Sequence, residues 1–239
     1  MARAATPPTQ VERLAAHLFD GAESDSVAEE IAGWLAGSAR FRGFAEAHRD
    51  KIRKKLRVAT DSEGRRDVRA ELRAAHLLLA DRRIELAFEA YGSGRAGPDF
   101  TLTFRAERGF NLEVTRLRRA PAQATLGGPL LPKLRQLPQS VPNALLIAIE
   151  GDRADALDIP AATRALQARA DAKDDAFFIA RGFDGTRGFH QRYRRLGAAL
   201  TWCEGVPARA RASLWLNAEA GIAVPQRAIR ACLLALQAD

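Results

Sequence analysis

Cysteine is almost absent from this chain of 239 residues: Cys203 and Cys232 are the only two. Two cysteines so far apart exclude a disulfide framework and a cysteine-based zinc site. Long apolar runs are missing as well. A continuous stretch such as Ala144 to Ile149 falls far short of the ~18 residues a membrane-spanning helix needs. Met1 to Gln10 has no apolar segment that could act as a secretion signal. The expectation is a soluble, cytoplasmic protein. Histidine is scarce, and His17, His48, His76 and His190 show no metal-ligand spacing. No Gly-X-Ser-X-Gly elbow, phosphate-binding Walker loop or dinucleotide fingerprint is present.

Acid is also in deficit. Against 29 Asp and Glu stand 37 Lys and Arg, for a formal charge of +8 and a pI of about 10.3. A strongly basic balance is the electrostatic signature of a nucleic-acid partner, although an arginine-rich coding bias gives the same totals. The hydrophobic share of 47% is ordinary for a globular chain with a core of its own.

Periodicity divides the chain. The first third reads as helical: a helix starting at Thr9, one over Ser26 to Leu35, and a third from Ser38 that carries Phe41, Phe44, Ile52 and Leu56. Arg40 to Arg57 holds eight basic residues against Glu46 and Asp50. Such a segment is either a solvated helix face or a surface laid along phosphates through Lys51, Arg53, Lys54, Lys55 and Arg57. A helix over Arg66 to Leu79 follows, and then the period changes from helical to alternating. Strands are expected at Ile84 to Tyr91, Asp99 to Arg105 and Phe110 to Arg118. A short helix comes next around Leu131 to Leu137, then a doubly buried strand over Asn143 to Glu150. Beyond it lie a helix from Ile159 to Ala172, short strands at Ala176 to Arg181 and Ser213 to Asn217, and a closing helix from Pro225. The organisation expected is an N-terminal helical region over 1–60 and an α/β domain with a mixed sheet over 61–239. A second cluster, Arg181 to Arg195, interleaves Arg187, Arg192, Arg194 and Arg195 with Phe183, Phe189 and Tyr193. It suits backbone contact and base stacking, or an ordinary surface loop packed on the core.

The hairpin carries the chemistry. Alternation places Asp99, Thr101 and Thr103 on one face of their strand and Asn111, Glu113 and Thr115 on one face of the next. A turn centred near Glu107 and Arg108 puts Asp99 opposite Thr115 with Glu113 its diagonal neighbour, so two carboxylates converge on one side. A hard cation such as Mg²⁺ or Mn²⁺ takes such oxygen ligands. The alternative is a polar, solvent-facing hairpin with no site.

Pro98-Asp99 followed by Glu113-Val114-Thr115 resembles the signature of the PD-(D/E)XK nuclease superfamily, over roughly residues 66–150. The resemblance implies a restriction-endonuclease-like core of helix, three antiparallel strands, helix and strand. It implies Mg²⁺- or Mn²⁺-dependent hydrolysis of phosphodiester bonds, in DNA above all, with metal held by Asp99 and Glu113. It also implies a further acid on the first core helix, the place of Glu71. The signature lysine is Thr115 here, and Arg116 alternates to the opposite face. Lys133, on the helix after the third strand, is the candidate to replace it, with Gln136 one turn along. If nothing does, the same fold is a catalytically inactive module that binds nucleic acid or a partner protein. A second copy of the chain is a further candidate partner.

Overall fold

The computed structural model describes residues 9–20, 26–90, 97–105, 107–117, 127–149, 158–204 and 211–238. The chain divides into two compact units, Met1–Ala80 and Asp81–Asp239.

The first unit is helical: α1 (Gln10–Phe19), α2 (Ser26–Gly37), α3 (Ala39–Ala47), α4 (Arg49–Val58) and α5 (Ser62–Leu78). Caps fix the boundaries. The Thr9 hydroxyl accepts from the Glu12 amide while Glu12 reaches back to the Thr9 amide, and Asp61 accepts from the Gly64 amide at 2.6 Å. Both satisfy amides that a helix start leaves without partners. The single helix expected from Ser38 to Leu56 is two, because the chain leaves helical geometry at His48, with φ −116° and ψ 14°. There the His48 ring packs on Phe44, 4.9 Å between centroids. Leu14, Leu18, Ile31, Leu35, Phe41, Ile52 and Leu72 form the buried interior. His76 belongs to that packing, stacked on Trp34 at 5.6 Å and edge-on to Phe41.

The second unit is α/β, a six-stranded mixed sheet in the order β1-β2-β3-β4-β5-β6. Its strands are β1 (Ile84–Phe88), β2 (Phe100–Phe104), β3 (Phe110–Leu117), β4 (Asn143–Ile149), β5 (Leu196–Cys203) and β6 (Ala212–Leu216). β1, β2 and β3 form an antiparallel meander; β4 runs parallel to β3, β5 parallel to β4, and β6 antiparallel to β5. Helix α6 (Gly127–Gln136) makes the crossover from β3 to β4, and α7 (Ile159–Asp171), α8 (Asp175–Ile179) and α9 (Gly185–Tyr193) lie between β4 and β5. Helix α10 (Gln226–Gln237) closes the chain, the tenth among the described residues. As the unbroken apolar run over Ala144 to Ile149 requires, β4 is buried on both faces.

Leu145, Ile147, Ile149, Ala199 and Cys203 share one sheet face with residues of α6 to α9, among them Leu134, Leu166, Phe178 and Phe189. The other face carries Phe100, Leu102, Leu112, Leu146 and Leu200, and α10 packs on it against β2, β5 and β6.

Three expectations are corrected. Ala176 to Arg181 is no strand: its first four residues lie in α8, started by the Asp174 side chain, which accepts from the Phe177 amide. β5 was not foreseen at all, since Gly197, Ala198 and Ala199 carry no β-branched signal. Gly197 is small for a reason, because a Cβ there meets Val224 Cγ2 at 2.6 Å. Finally, Gly127 to Pro129, read as a break, begin α6.

Candidate functional site

β2 and β3 pair with Phe100 opposite Leu112, Thr101 opposite Asn111 and Leu102 opposite Phe110. One step further along this register, Asp99 stands at the level of Glu113, two residues from the expected partner, Thr115. The connection is therefore centred earlier than Glu107 and Arg108. Arg105 leaves the ladder with φ 50°, and the Glu107 amide turns back to Phe104 O at 2.9 Å. A slip of two residues preserves the side-chain face, whereas a slip of one reverses it. Asp99 and Glu113 thus remain on one face and come closer than the diagonal arrangement allows.

Each carboxylate is anchored. Asp99 Oδ2 accepts from the Val114 amide at 2.8 Å, and the Asp99 carbonyl accepts from the Glu89 amide at 2.8 Å. Glu113 is 4% exposed, and its Oε1 accepts from Lys133 Nζ at 2.5 Å. Lys133 reaches it from α6, whose Leu130, Leu131 and Leu134 are buried in the core beneath the same sheet face. Two carboxylates repel at this range, and the ammonium cancels one of the two charges. Arg116 is buried and alternates with Glu113, so it lies on the opposite face, as its parity dictates. Thr115, on the Glu113 face, pairs with Ile147 of β4.

Below the acids the same face continues in amides. Asn111 Oδ1 accepts from Thr101 Oγ1 at 3.3 Å, and Asn111 Nδ2 donates to Asn143 Oδ1 at 3.1 Å. Asn143 Nδ2 lies 2.8 to 3.0 Å from the carbonyls of Pro138, Val141 and Arg195. One fully buried amide thereby fixes the end of the α6 crossover, the start of β4 and the entry to β5. Sequence reasoning missed this pair, since two asparagines 32 residues apart give no signal until the parallel register places them side by side.

Glu71 lies in the first unit, on α5, where its carboxylate pairs with Lys55. The basic segment is heavily engaged by acids of the same unit. Arg53 pairs with Asp20, Arg57 Nε approaches Asp20 Oδ2 at 3.8 Å, and Arg49 Nη1 donates to Glu46 at 2.9 Å. Arg40 and Arg42 donate to the carbonyls of Leu79 and Leu35 at 2.6 and 2.7 Å. Arg53, Lys54 and Arg57 also line an open groove with Asp50 and Val58. The fourth histidine-bearing region is different: His190 lines a cleft of the second unit with Arg187, Arg194 and Arg195. The aromatics of that region are not available for stacking on bases, since Phe183, Phe189 and Tyr193 are buried in the core.

For a metal, the fit rests on the donor set. A Mg²⁺ ion is held by one or two carboxylates and keeps several waters, and Asp99 with Glu113 meets that requirement. Among the described residues no group of three or more His, Cys, Asp or Glu converges to make a fuller cage. No helix of the described residues is long and apolar enough to cross a membrane. Comparison with protein-family models, with curated proteins and with solved structures gives no match.

Proposed function

We propose that this chain is a metal-dependent nuclease of the PD-(D/E)XK type that hydrolyses phosphodiester bonds in DNA. The observation that carries the reading is the triad of Asp99, Glu113 and Lys133. Two acids stand at one level of adjacent antiparallel strands, with an ammonium 2.5 Å from the second. The element order along the chain adds support: helix, antiparallel meander, helix, parallel strand is the order the superfamily uses, and Pro98-Asp99 immediately precedes the second strand of the meander.

In this mechanism Asp99 and Glu113 would hold a divalent cation. When bound, the cation makes water a better nucleophile near neutral pH and offsets charge building on the scissile phosphate. The Val114 amide orients the Asp99 carboxylate, so that the strand pairing itself sets the ligand geometry. Lys133 stands where the absent signature lysine is needed. Its ammonium places positive charge beside the developing oxyanion and orients the attacking water, an effect that grows toward the transition state. Glu85 and Ala87 of β1 lie on the same face as the acids and are exposed.

The test is cleavage of plasmid, linear and branched DNA and of RNA with Mg²⁺ or Mn²⁺. Asp99→Asn keeps size and an acceptor for the Val114 amide but removes the charge the cation needs. Cleavage by the wild type and its loss in Asp99→Asn, at unchanged thermal stability, is the expected result. A wild type that cuts none of these with either metal makes the fold a binding module instead.

A further inference from the structure

A second site stands apart from the acids. A cleft of about 760 Å³ opens between the outer face of α9, the 139–141 segment and the 221–222 turn. Its volume falls in the range of ligand sites. Arg187, His190, Gln191 and Arg194 enter it from α9, Arg195 from the turn into β5, and Gln139 from the opposite wall. Three arginines and a histidine face one space that, among the described residues, no Asp or Glu lines.

The cleft is built rather than a chance gathering of surface side chains. Arg195 Nη1 donates to Leu137 O at 3.1 Å, which holds its guanidinium across the cleft floor. The Gly221 amide donates to Arg194 O at 2.8 Å and fixes the turn that forms the far wall. Beneath, Phe189 and Tyr193 lock α9 into the core, so its outer face is rigidly presented. Arg195 Nε is buried with no hydrogen-bond partner among the described atoms. Burial first, and then the nearby Arg192, disfavours the charge on Arg195. An anion in the cleft offsets the charge that burial and Arg192 disfavour.

We propose that this cleft binds the phosphate backbone of a nucleic acid, a reading that rests on nucleic acid being the substrate of the Asp99–Glu113 site. Spacing selects a polymer over a lone anion. Arg187 and Arg194 lie seven residues apart on or at the end of one helix, about 10.5 Å along its axis. Phosphates recur along a nucleic-acid strand, so two arginines set this far apart reach different phosphates of one strand rather than a single anion. Guanidinium forks grip such oxygens in pairs. The distance to the acids also suits one ligand. Asn111, Asn143 and Leu196 are paired across β3, β4 and β5. The Glu113 backbone therefore lies two strands over and two residues along from the residue after Arg195, about 10 Å by about 7 Å. The cleft binds the strand a few nucleotides away from the bond that is cut.

The experiment measures binding of fluorescently labelled single-stranded and duplex 30-mers by anisotropy, in EDTA, for wild type, Arg187→Ala/Arg194→Ala and Asp99→Asn. Arg187 and Arg194 are exposed, so the double variant keeps its fold, which thermal unfolding verifies. Its affinity is expected to fall at least tenfold at 0.1 M salt, with the slope of log affinity against log salt shallower by about 2. The double variant Arg187→Lys/Arg194→Lys should recover part of the loss. Affinity and slope equal to wild type overturn the inference. So does a wild type that holds pyrophosphate through these arginines but neither DNA nor RNA. Arginine-dependent binding without metal-dependent cleavage upholds the cleft and overturns the nuclease reading, so the two fail separately.

Discussion

Lys133 Nζ lies 2.5 Å from Glu113 Oε1 and ties the crossover helix α6 to the strand from which the crossover departs. The pair spans 20 residues and joins two roles. The side chain that balances a buried carboxylate is also the one proposed to act on a phosphate.

Both roles are measurable in the same variants. Lys133→Ala and Glu113→Gln, taken singly and together, should give a coupling energy of about 2 kcal/mol in a double-mutant cycle of urea unfolding. In cleavage, Lys133→Ala should lower kcat by roughly 10²- to 10³-fold with KM little changed, as for loss of a preorganised electrostatic group. Full activity in Lys133→Ala assigns Lys133 to the fold alone.

The basic helix α4 gives a second expectation. Lys55 is committed to Glu71 and Arg53 to Asp20, whereas Lys54 is exposed. If α4 lies along phosphates, neutralising Lys51, Lys54 and Lys55 together weakens DNA binding and flattens its salt dependence. Lys54→Ala alone should then carry more of that loss than Lys55→Ala. Lys55→Ala should instead lower stability, since it leaves the half-buried Glu71 without its ammonium. An unchanged salt slope in the triple variant makes α4 a solvated face.

Much of the second unit was legible because strand phase and burial agree. Phe100, Leu102 and Phe104 alternate with Asp99, Thr101 and Thr103, and the unbroken run over Ala144 to Ile149 names a central strand. What escaped depended on long-range pairing. The exact opposition of Asp99 and Glu113 turns on where Arg105 leaves the ladder, and a positive φ at an arginine has no sequence signature. β5 was hidden because its small residues are chosen by close neighbours such as Val224, which lies 27 residues away from Gly197. The cleft was visible only as a basic, aromatic segment. The helical period sorts that segment, sending Phe189 and Tyr193 inward and Arg187, His190 and Arg194 outward.

His48 gives a pH dependence. Burial, and then the charge of Lys51, holds its pKa below the ordinary 6.5. The unfolded chain therefore binds this proton more readily than the folded chain. The resulting contribution is fully present above pH 6.5 and is lost as pH falls through the folded value. Between pH 7.5 and pH 5 the urea midpoint should drop more in the wild type than in His48→Asn. An equal drop in both means that His48 titrates alike in the two states.

The Asn143 amide should prove one of the most sensitive positions in the sheet. It is fully buried; its oxygen accepts from Asn111, and its Nδ2 faces three carbonyls. Asn143→Leu fits the volume but leaves the Asn111 amide without its acceptor and those carbonyls short of a donor. At about 1–3 kcal/mol for each buried group left unsatisfied, the loss should exceed about 3 kcal/mol. Asn143→Asp fails for the opposite reason, since it sets a carboxylate against three carbonyl oxygens and removes the donor they share. The double variant Asn111→Leu/Asn143→Leu removes the partner amide but not the backbone carbonyls, so it should recover only part of the stability lost. Recovery to the wild-type level would show that the carbonyls find other donors, and that Asn143 serves Asn111 alone.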